Sequence, residues 1–312
     1  MKRHLFLLVL FFLGSIHATM AQREPMYAQY LDNMLEINPA YAGSRHSLSV
    51  ISLNRSHWTV VFDRAPMTHS LNLHSPTRSD HIGVGLSFRT ETVGPERTTS
   101  IYGDYSYRVD LTPESTLTFG LKAGISFFDL PLTSLIIDDP ADPAFASDIL
   151  SMWLPNFGFG VIYRIEDLFV GLSIPKLLEV NYFDNTMFGG ARPALIDRNY
   201  YLTAGAVFHL GPEIFVMPST YVRYLPGTTP EVDLSARLVL FERFSAGAMV
   251  RLQDAMGFNI GIDLSSNLTF GYSFDWAILN RVPSFNFGSH EVMLRYEFQI
   301  SDPRDHRWPR YF

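Results

Sequence analysis

The chain has 312 residues, enough for one large domain or two ordinary ones. Nearly half are apolar, yet beyond the first twenty or so no apolar run approaches the ~20 residues of a membrane helix. A net charge of -7 argues against a general nucleic-acid footprint. The lack of cysteine excludes disulfides, zinc–thiolate sites, thiol catalysis and a lipoprotein anchor.

The chain opens with Lys2 and Arg3, an apolar run from Leu5 to Leu13, and small residues at Thr19 and Ala21. A basic n-region, an h-region of this length and a small-x-small site make a secretory signal peptide, with cleavage expected after Ala21. The competing reading, a membrane anchor, requires a longer run. Residues 22–46 come next as a periplasmic or lumenal segment. Its Asn38-Pro39 and Ala42-Gly43 pairs form turns, so an ordered turn is expected just ahead of the first strand.

Period-two alternation then repeats down the chain. Leu117, Phe119, Leu121, Ala123, Ile125 and Phe127 alternate with Thr118, Gly120, Lys122, Gly124 and Ser126. The segments from Glu231, Leu268 and Glu291 read the same way, as do those near Ile82, Thr98, Asn199, Arg243 and Gly257. Less regular ones lie near Ser47, Met67, Asn156, Leu168 and Glu213. Successive side chains of a strand face opposite sides, and in a membrane barrel one side meets lipid and the other a polar lumen. The expected fold is all-β: a transmembrane antiparallel β-barrel of about 14 strands in the bacterial outer membrane. Gaps after the even strands are short, whereas 129–155 and 175–198, after strands five and seven, are long. Short periplasmic turns, long outer loops and periplasmic termini are the pattern of such barrels. A soluble sandwich would present a polar outer face. The expected organisation is a signal peptide at 1–21, the segment 22–46, a barrel at 47–300 and a periplasmic tail at 301–312.

The polar faces carry both signs, among them Arg89, Glu91, Asp104, Lys122, Arg237 and Arg295. They suit either an interior plugged by ion pairs or a polar pore. No catalytic constellation emerges: His57, His69, His74, His81, His209 and His290 sit in no recognised nucleophile motif. His69 falls on the apolar face. Asp138, Asp139, Asp142 and Asp148 form an oxygen-rich loop without EF-hand spacing, so a solvated acidic loop is expected and no metal. The Gly83/Gly85 and Gly158/Gly160 pairs lie inside alternating strands and read as small lumen-facing residues.

The segment Ile37-Asn38-Pro39-Ala40-Tyr41-Ala42-Gly43-Ser44 closely resembles the opening of the PorP/SprF family of type IX secretion system membrane proteins. Further matches run in order through Val93-Gly94-Pro95, Phe119 to Gly124, Pro155 to Gly160 and Val170 to Leu178, ending at Gly288-Ser289-His290-Glu291-Val292-Met293-Leu294-Arg295-Tyr296. The resemblance spans essentially the whole mature chain. It implies a non-enzymatic outer-membrane component from the Bacteroidota, associated with secretion and gliding motility and often serving large surface adhesins with a C-terminal sorting domain. Expected partners are outer-membrane lipid, such an adhesin and other type IX components, with no nucleic acid, cofactor or small-molecule substrate. Asn38, Pro39, Ala40, Tyr41, Ala42, Gly43, His290 and Glu291 are its motif residues and the candidates for partner binding. A diffusion channel for small solutes is the alternative function, and a barrel hydrolase a third. After the last strand, Arg304, Arg307, Trp308, Arg310, Tyr311 and Phe312 form a tail that either contacts a partner or frays.

Overall fold

The computed structural model describes residues 26–45, 47–57, 65–79, 81–135, 148–181, 194–196, 198–252, 254–278 and 288–298. The expected signal peptide at 1–21, the expected tail at 301–312 and Asp138, Asp139 and Asp142 lie outside these.

The alternating segments become strands because each can place one row of side chains inward and one outward. They are β1 (Leu48–His57), β2 (Met67–Pro76), β3 (Ile82–Val93), β4 (Glu96–Thr112), β5 (Ser115–Leu130), β6 (Ile149–Ile165) and β7 (Leu168–Ile174). After a small ribbon of β8 (Val180–Asn181) and β9 (Ala194–Ile196) come β10 (Tyr200–Ala206), β11 (Phe208–Gly211), β12 (Ile214–Tyr224) and β13 (Glu231–Leu240). The series ends with β14 (Phe244–Arg251), β15 (Ala255–Asp263), β16 (Leu268–Ala277) and β17 (Ser289–Phe298). All pairings are antiparallel, and β1 pairs with β17, Leu48 opposite Phe298 and His57 opposite Ser289, which closes the sheet. Both β10 and β11 pair with β12 and act as one strand broken at Val207, whose N–H bonds to the Asp167 carbonyl at 2.8 Å. Counted so, the barrel has 14 strands. Closure leaves no edge with unpaired backbone groups, the condition for sheet structure in lipid.

The end where β1 begins and β17 finishes, here the near end, carries connections of five residues or fewer, such as 77–81 and 166–167. The far end carries the long connections, 131–148 and 175–199, alongside two tight turns at 94–95 and 252–254. Two strands start earlier than the alternation suggests: β4 at Glu96, and β6 at Ile149 rather than near Asn156. Over Ile149–Leu154 both faces carry apolar residues, because Phe128 and Leu154 pack with Leu130, Ile149 and Met152. That erases the period-two signal.

The wall follows the expected rule over most of its circumference. Leu121, Phe157, Trp153 and Leu172 are exposed on the outside, while Asp104, Lys122, Arg223, Asp233 and Glu291 are buried inside. The expectation of a polar lumen throughout is corrected at several strands. Ile51 and Leu53 of β1, Phe169 of β7, and Phe215, Met217 and Tyr221 of β12 all point inward into one buried cluster. In β1 the phase is reversed, so Ser52, Asn54 and Ser56 face outward. Asn54 and the outward His69 hydrogen-bond each other, which lessens the cost of placing them on this wall. The inward apolar residues have a partner that alternation cannot reveal: the chain's own N-terminal segment.

Candidate functional site: a lumenal plug and the cavity beneath it

Residues 26–45 occupy the lumen. Tyr27, Tyr30, Leu31, Met34, Leu35, Ile37 and Tyr41 are each less than a twentieth exposed and pack on the inward apolar residues of the wall. Each such side chain removed from water contributes about 1.5–3 kcal/mol before entropy is counted. The segment holds only a four-residue helix, α1 (Met34–Ile37), and a single 3-10 turn, Pro39–Tyr41. So short a helix has little stability of its own, and contacts with the barrel fix its shape.

The segment starts toward the far end. Glu291, fully buried, accepts hydrogen bonds from the backbone N–H groups of Ala28 (2.8 Å) and Gln29 (3.0 Å) and from the Ser273 hydroxyl (3.2 Å). It also pairs with Arg55, which reaches Asp275 at 2.9 Å. Deeper, Tyr30 donates to Ser219 at 2.8 Å, and Asn72 donates to Asn33 at 2.6 Å. Asp32 receives both terminal nitrogens of Arg237 (2.6 and 3.2 Å) and one of Arg295 (3.2 Å). Burial alone would raise the Asp32 carboxyl, but the two guanidinium groups outweigh it and hold it at about 2. At the near end Arg45 reaches Glu297 at 2.7 Å, just before β1 begins.

Between these points the barrel makes room with glycine. A Cβ on Gly120 would stand 2.0 Å from the Ala40 nitrogen, and one on Gly160 2.0 Å from the Asn38 amide oxygen. A Cβ on Gly83 would stand 2.2 Å from the Ala42 carbonyl oxygen. Gly83, Gly120 and Gly160 therefore form a track for the plug, whereas Gly158 lies against the Pro175 backbone. Gly43 closes the turn with φ +68, next to Gly83 and the β2 backbone, where no other residue fits without strain.

The motif residues fall into two groups. Asn38 to Gly43 form the plug's tight turn. The Asn38 side chain accepts from the Ala40 N–H at 3.0 Å, and its NH2 group donates to the carbonyls of Val161 and Leu172, both at 3.2 Å. One amide thus caps the turn and ties it to β6 and β7. Pro39 takes the first position of the turn, where its missing N–H costs nothing. Ala40 and Ala42 are small where backbones approach, the Ala42 carbonyl accepting from Ser106 at 2.7 Å. Tyr41 packs edge-on against His74, which accepts from the Gly43 N–H. His290 and Glu291, adjacent in sequence, point to opposite sides: Glu291 to the plug, His290 outward to the Tyr272 hydroxyl at 2.8 Å. Sequence reasoning missed Asp32, Gln29 and Arg55. The legible traces were the reading of 22–46 as a periplasmic or lumenal segment and the irregular alternation near Ser47.

Among the described residues, the close His57–Ser289 pair is not arranged as a nucleophile and its base. His57 and Ser289 are 2.8 Å apart, but Arg55 donates to the other ring nitrogen of His57 at 3.0 Å. The nitrogen facing Ser289 therefore carries the proton and cannot accept one, the reverse of a nucleophile–base pair. Asp148 accepts from Thr133 twice, at 2.8 Å. Among the described residues no three acidic or histidine side chains converge as metal ligands.

On the β12–β17 side the plug leaves a cavity of about 650 Å³, open at the near end between the turns at 241–243 and 264–267. It lies beneath Asp32 and has Phe215, Met217, Val239 and Met293 among its lining.

A closed 14-stranded wall with an apolar exterior and an ion-paired interior defines an outer-membrane β-barrel protein. In keeping with this, the chain is similar in fold to the CymD monoaromatic hydrocarbon channel, with a TM-score of 0.52 at 11% identity over 89% of this chain and 95% of that one. The Acinetobacter baumannii outer membrane protein Omp33 aligns with a TM-score of 0.48 at 7% identity, over 81% of this chain and 99% of that one. At 11% identity the likeness to CymD speaks for the fold alone. A search of curated proteins found no match. The family model described as type IX secretion system membrane protein PorP/SprF matches residues 19–296, and the chain belongs to that family.

Proposed function

We propose that this barrel is a non-enzymatic docking body of the type IX system. It holds a secreted adhesin with a C-terminal sorting domain at the outer membrane, or ties the secretion machinery to that membrane, and so serves surface display and gliding. The near end, with its short turns, faces the periplasm, and the far-end connections present the outer surface. The observation that carries this reading is the filled lumen. A barrel whose interior is occupied by its own chain, pinned at Glu291, Asp32 and Arg45, acts through its surfaces rather than as a conduit. Candidate partner surfaces are then the far-end loops and the near-end rim, since the motif residues 38–43 are buried within. The test is purification of the tagged protein from native membranes in mild detergent, with mass spectrometry of the proteins that accompany it. A large adhesin carrying a sorting domain, or periplasmic ring components, is expected, and deletion should abolish display of that partner while general secretion continues. A barrel recovered alone, with steady conductance in planar bilayers, would favour a solute channel instead.

A further inference from the structure

The outer wall has a polar break at β1. With Ile51 and Leu53 turned toward the plug, Ser52, Asn54 and Ser56 stand outside. An apolar inner row does not require a polar outer one, since β6 is apolar on both faces over Ile149–Leu154. The neighbours of this row are mostly apolar: Ser52 lies between Leu294 and Leu71, and Asn54 between Val292 and His69. His290, which also points outward, stands opposite Ser56. The break lies within the lipid band rather than above it. Ser52 is at mid-strand. Tyr272 of β16 shares Asn54's row through Val292, and the exposed Trp276 is four residues farther toward the far end. Trp and Tyr mark the membrane–water boundary, so Ser52 and Asn54 face lipid beneath it.

These polar atoms are reachable and only partly used. Asn54 is exposed, and its oxygen bonds to Nδ1 of His69. Its NH2 group, the other ring nitrogen of His69 and the hydroxyls of Ser52 and Ser56 have no partner among the described residues. Lipid tails supply no hydrogen bonds, whereas a protein neighbour does. The outward rows of β17, β1, β2 and β3 hold no Lys, Arg, Asp or Glu, so a lipid phosphate or a charged partner would find no counter-charge. Serine hydroxyls and asparagine amides both donate and accept, which makes the row complementary to itself. Two copies inserted in the same direction, related by a two-fold axis along the membrane normal, place every residue at the depth of its own counterpart. Asn54 then meets Asn54 of the second copy, and the small Ser52 and Ser56 let the two convex walls approach. A different protein would need a matching polar row at this depth, and a second copy has one by construction. We propose that the barrel forms a homodimer in the outer membrane, joined along the outer face of β1 with His69 and His290 at its borders. This rests on the outer wall alone and is independent of which partner the barrel serves.

The cysteine-free chain makes the test direct. Ser56→Cys keeps Asn54 and His69 and puts one thiol at the water-facing edge of the row, where it can ionise and react. Tyr200→Cys is the control, on the outer face at the far end of β10, on the opposite wall. In native membranes a short bismaleimide should link Ser56→Cys to itself at twice the barrel's mass and leave Tyr200→Cys single. Asn54→Leu with His69→Leu replaces the polar groups by ones that suit lipid, so a heat-modifiable barrel is expected. Those two changes should abolish the Ser56→Cys link and, by sedimentation in mild detergent, weaken the dimer about tenfold. Linkage of Ser56→Cys no greater than in the control overturns the proposal, as does linkage to a different protein. An association constant that the two leucines leave unchanged overturns it as well.

Discussion

Two of the carboxylates that fasten the plug, Glu291 and Asp32, do so differently. Glu291 has its lone pairs filled by backbone N–H groups, a hydroxyl and Arg55 in a site closed to water, which is how a buried charge becomes tolerable. Asp32 depends on the field of Arg237 and Arg295, which lowers its carboxyl from 3.8 to about 2 against the opposing effect of burial. A carboxyl lowered on folding stabilises the folded state fully above its ordinary value and loses that contribution as pH falls through the folded value. The Asp32 clamp should therefore hold from neutral pH down to about 4 and release only as the pH approaches 2. In planar bilayers, wild-type barrels should stay closed over the upper range, and Asp32→Asn should open at neutral pH because its neutral amide gives up the charge attraction to both arginines. Identical behaviour of the two proteins would mean that the other contacts hold the plug without Asp32.

At the level of elements, the plug and its track are built for each other. The 3-10 turn Pro39–Tyr41 lies across β4, β5 and β6, and Gly120 and Gly160 are the points where its backbone comes closest. Gly120→Val should displace the turn, because its Cβ alone would overlap the Ala40 nitrogen. The expected outcome is a heat-modifiable barrel whose residues 26–45 become cleavable by added protease. Gly103→Ala is the control: its Cβ would meet nothing closer than 3.9 Å, and it should leave the segment protected. Strand β1 belongs to the same design. Ile51 and Leu53 face inward because the plug offers them an apolar partner, and the cost appears outside as Ser52, Asn54 and Ser56 on a wall otherwise rich in apolar residues.

For the whole molecule, stability in the membrane rests on closure and on the outer band. Leu121, more than half exposed at mid-strand in β5, and Leu111, at the near end of β4, are both on that wall. An arginine costs about 2–4 kcal/mol at the bilayer midplane and about 1 or less near the interface. Leu121→Arg should therefore lower folding stability in lipid by the larger amount and Leu111→Arg by the smaller, as read by urea titration in vesicles. Equal costs would place the membrane band elsewhere on the barrel.

Alternation was legible wherever the two faces of a strand meet different media, as in Thr116–Phe127 with lipid outside and polar lumen inside. Lipid demands satisfied backbone, so alternation together with about 14 segments already implied closure. The Asn38–Gly43 turn was legible too, since Asn-Pro and Ala-Gly carry their own conformational preference. What alternation could not disclose is what the inward faces touch. Gly120 reads the same whether it faces water or the Ala40 backbone, and Ile51 reads as a phase error until Leu31 and its neighbours are seen in the same cluster. The sequence alone determined the barrel, because its pattern is local and set by the surrounding solvent. Only the tertiary structure decided that the lumen is filled, because that depends on pairings such as Ala28 with Glu291, 263 residues apart, which leave no periodic trace.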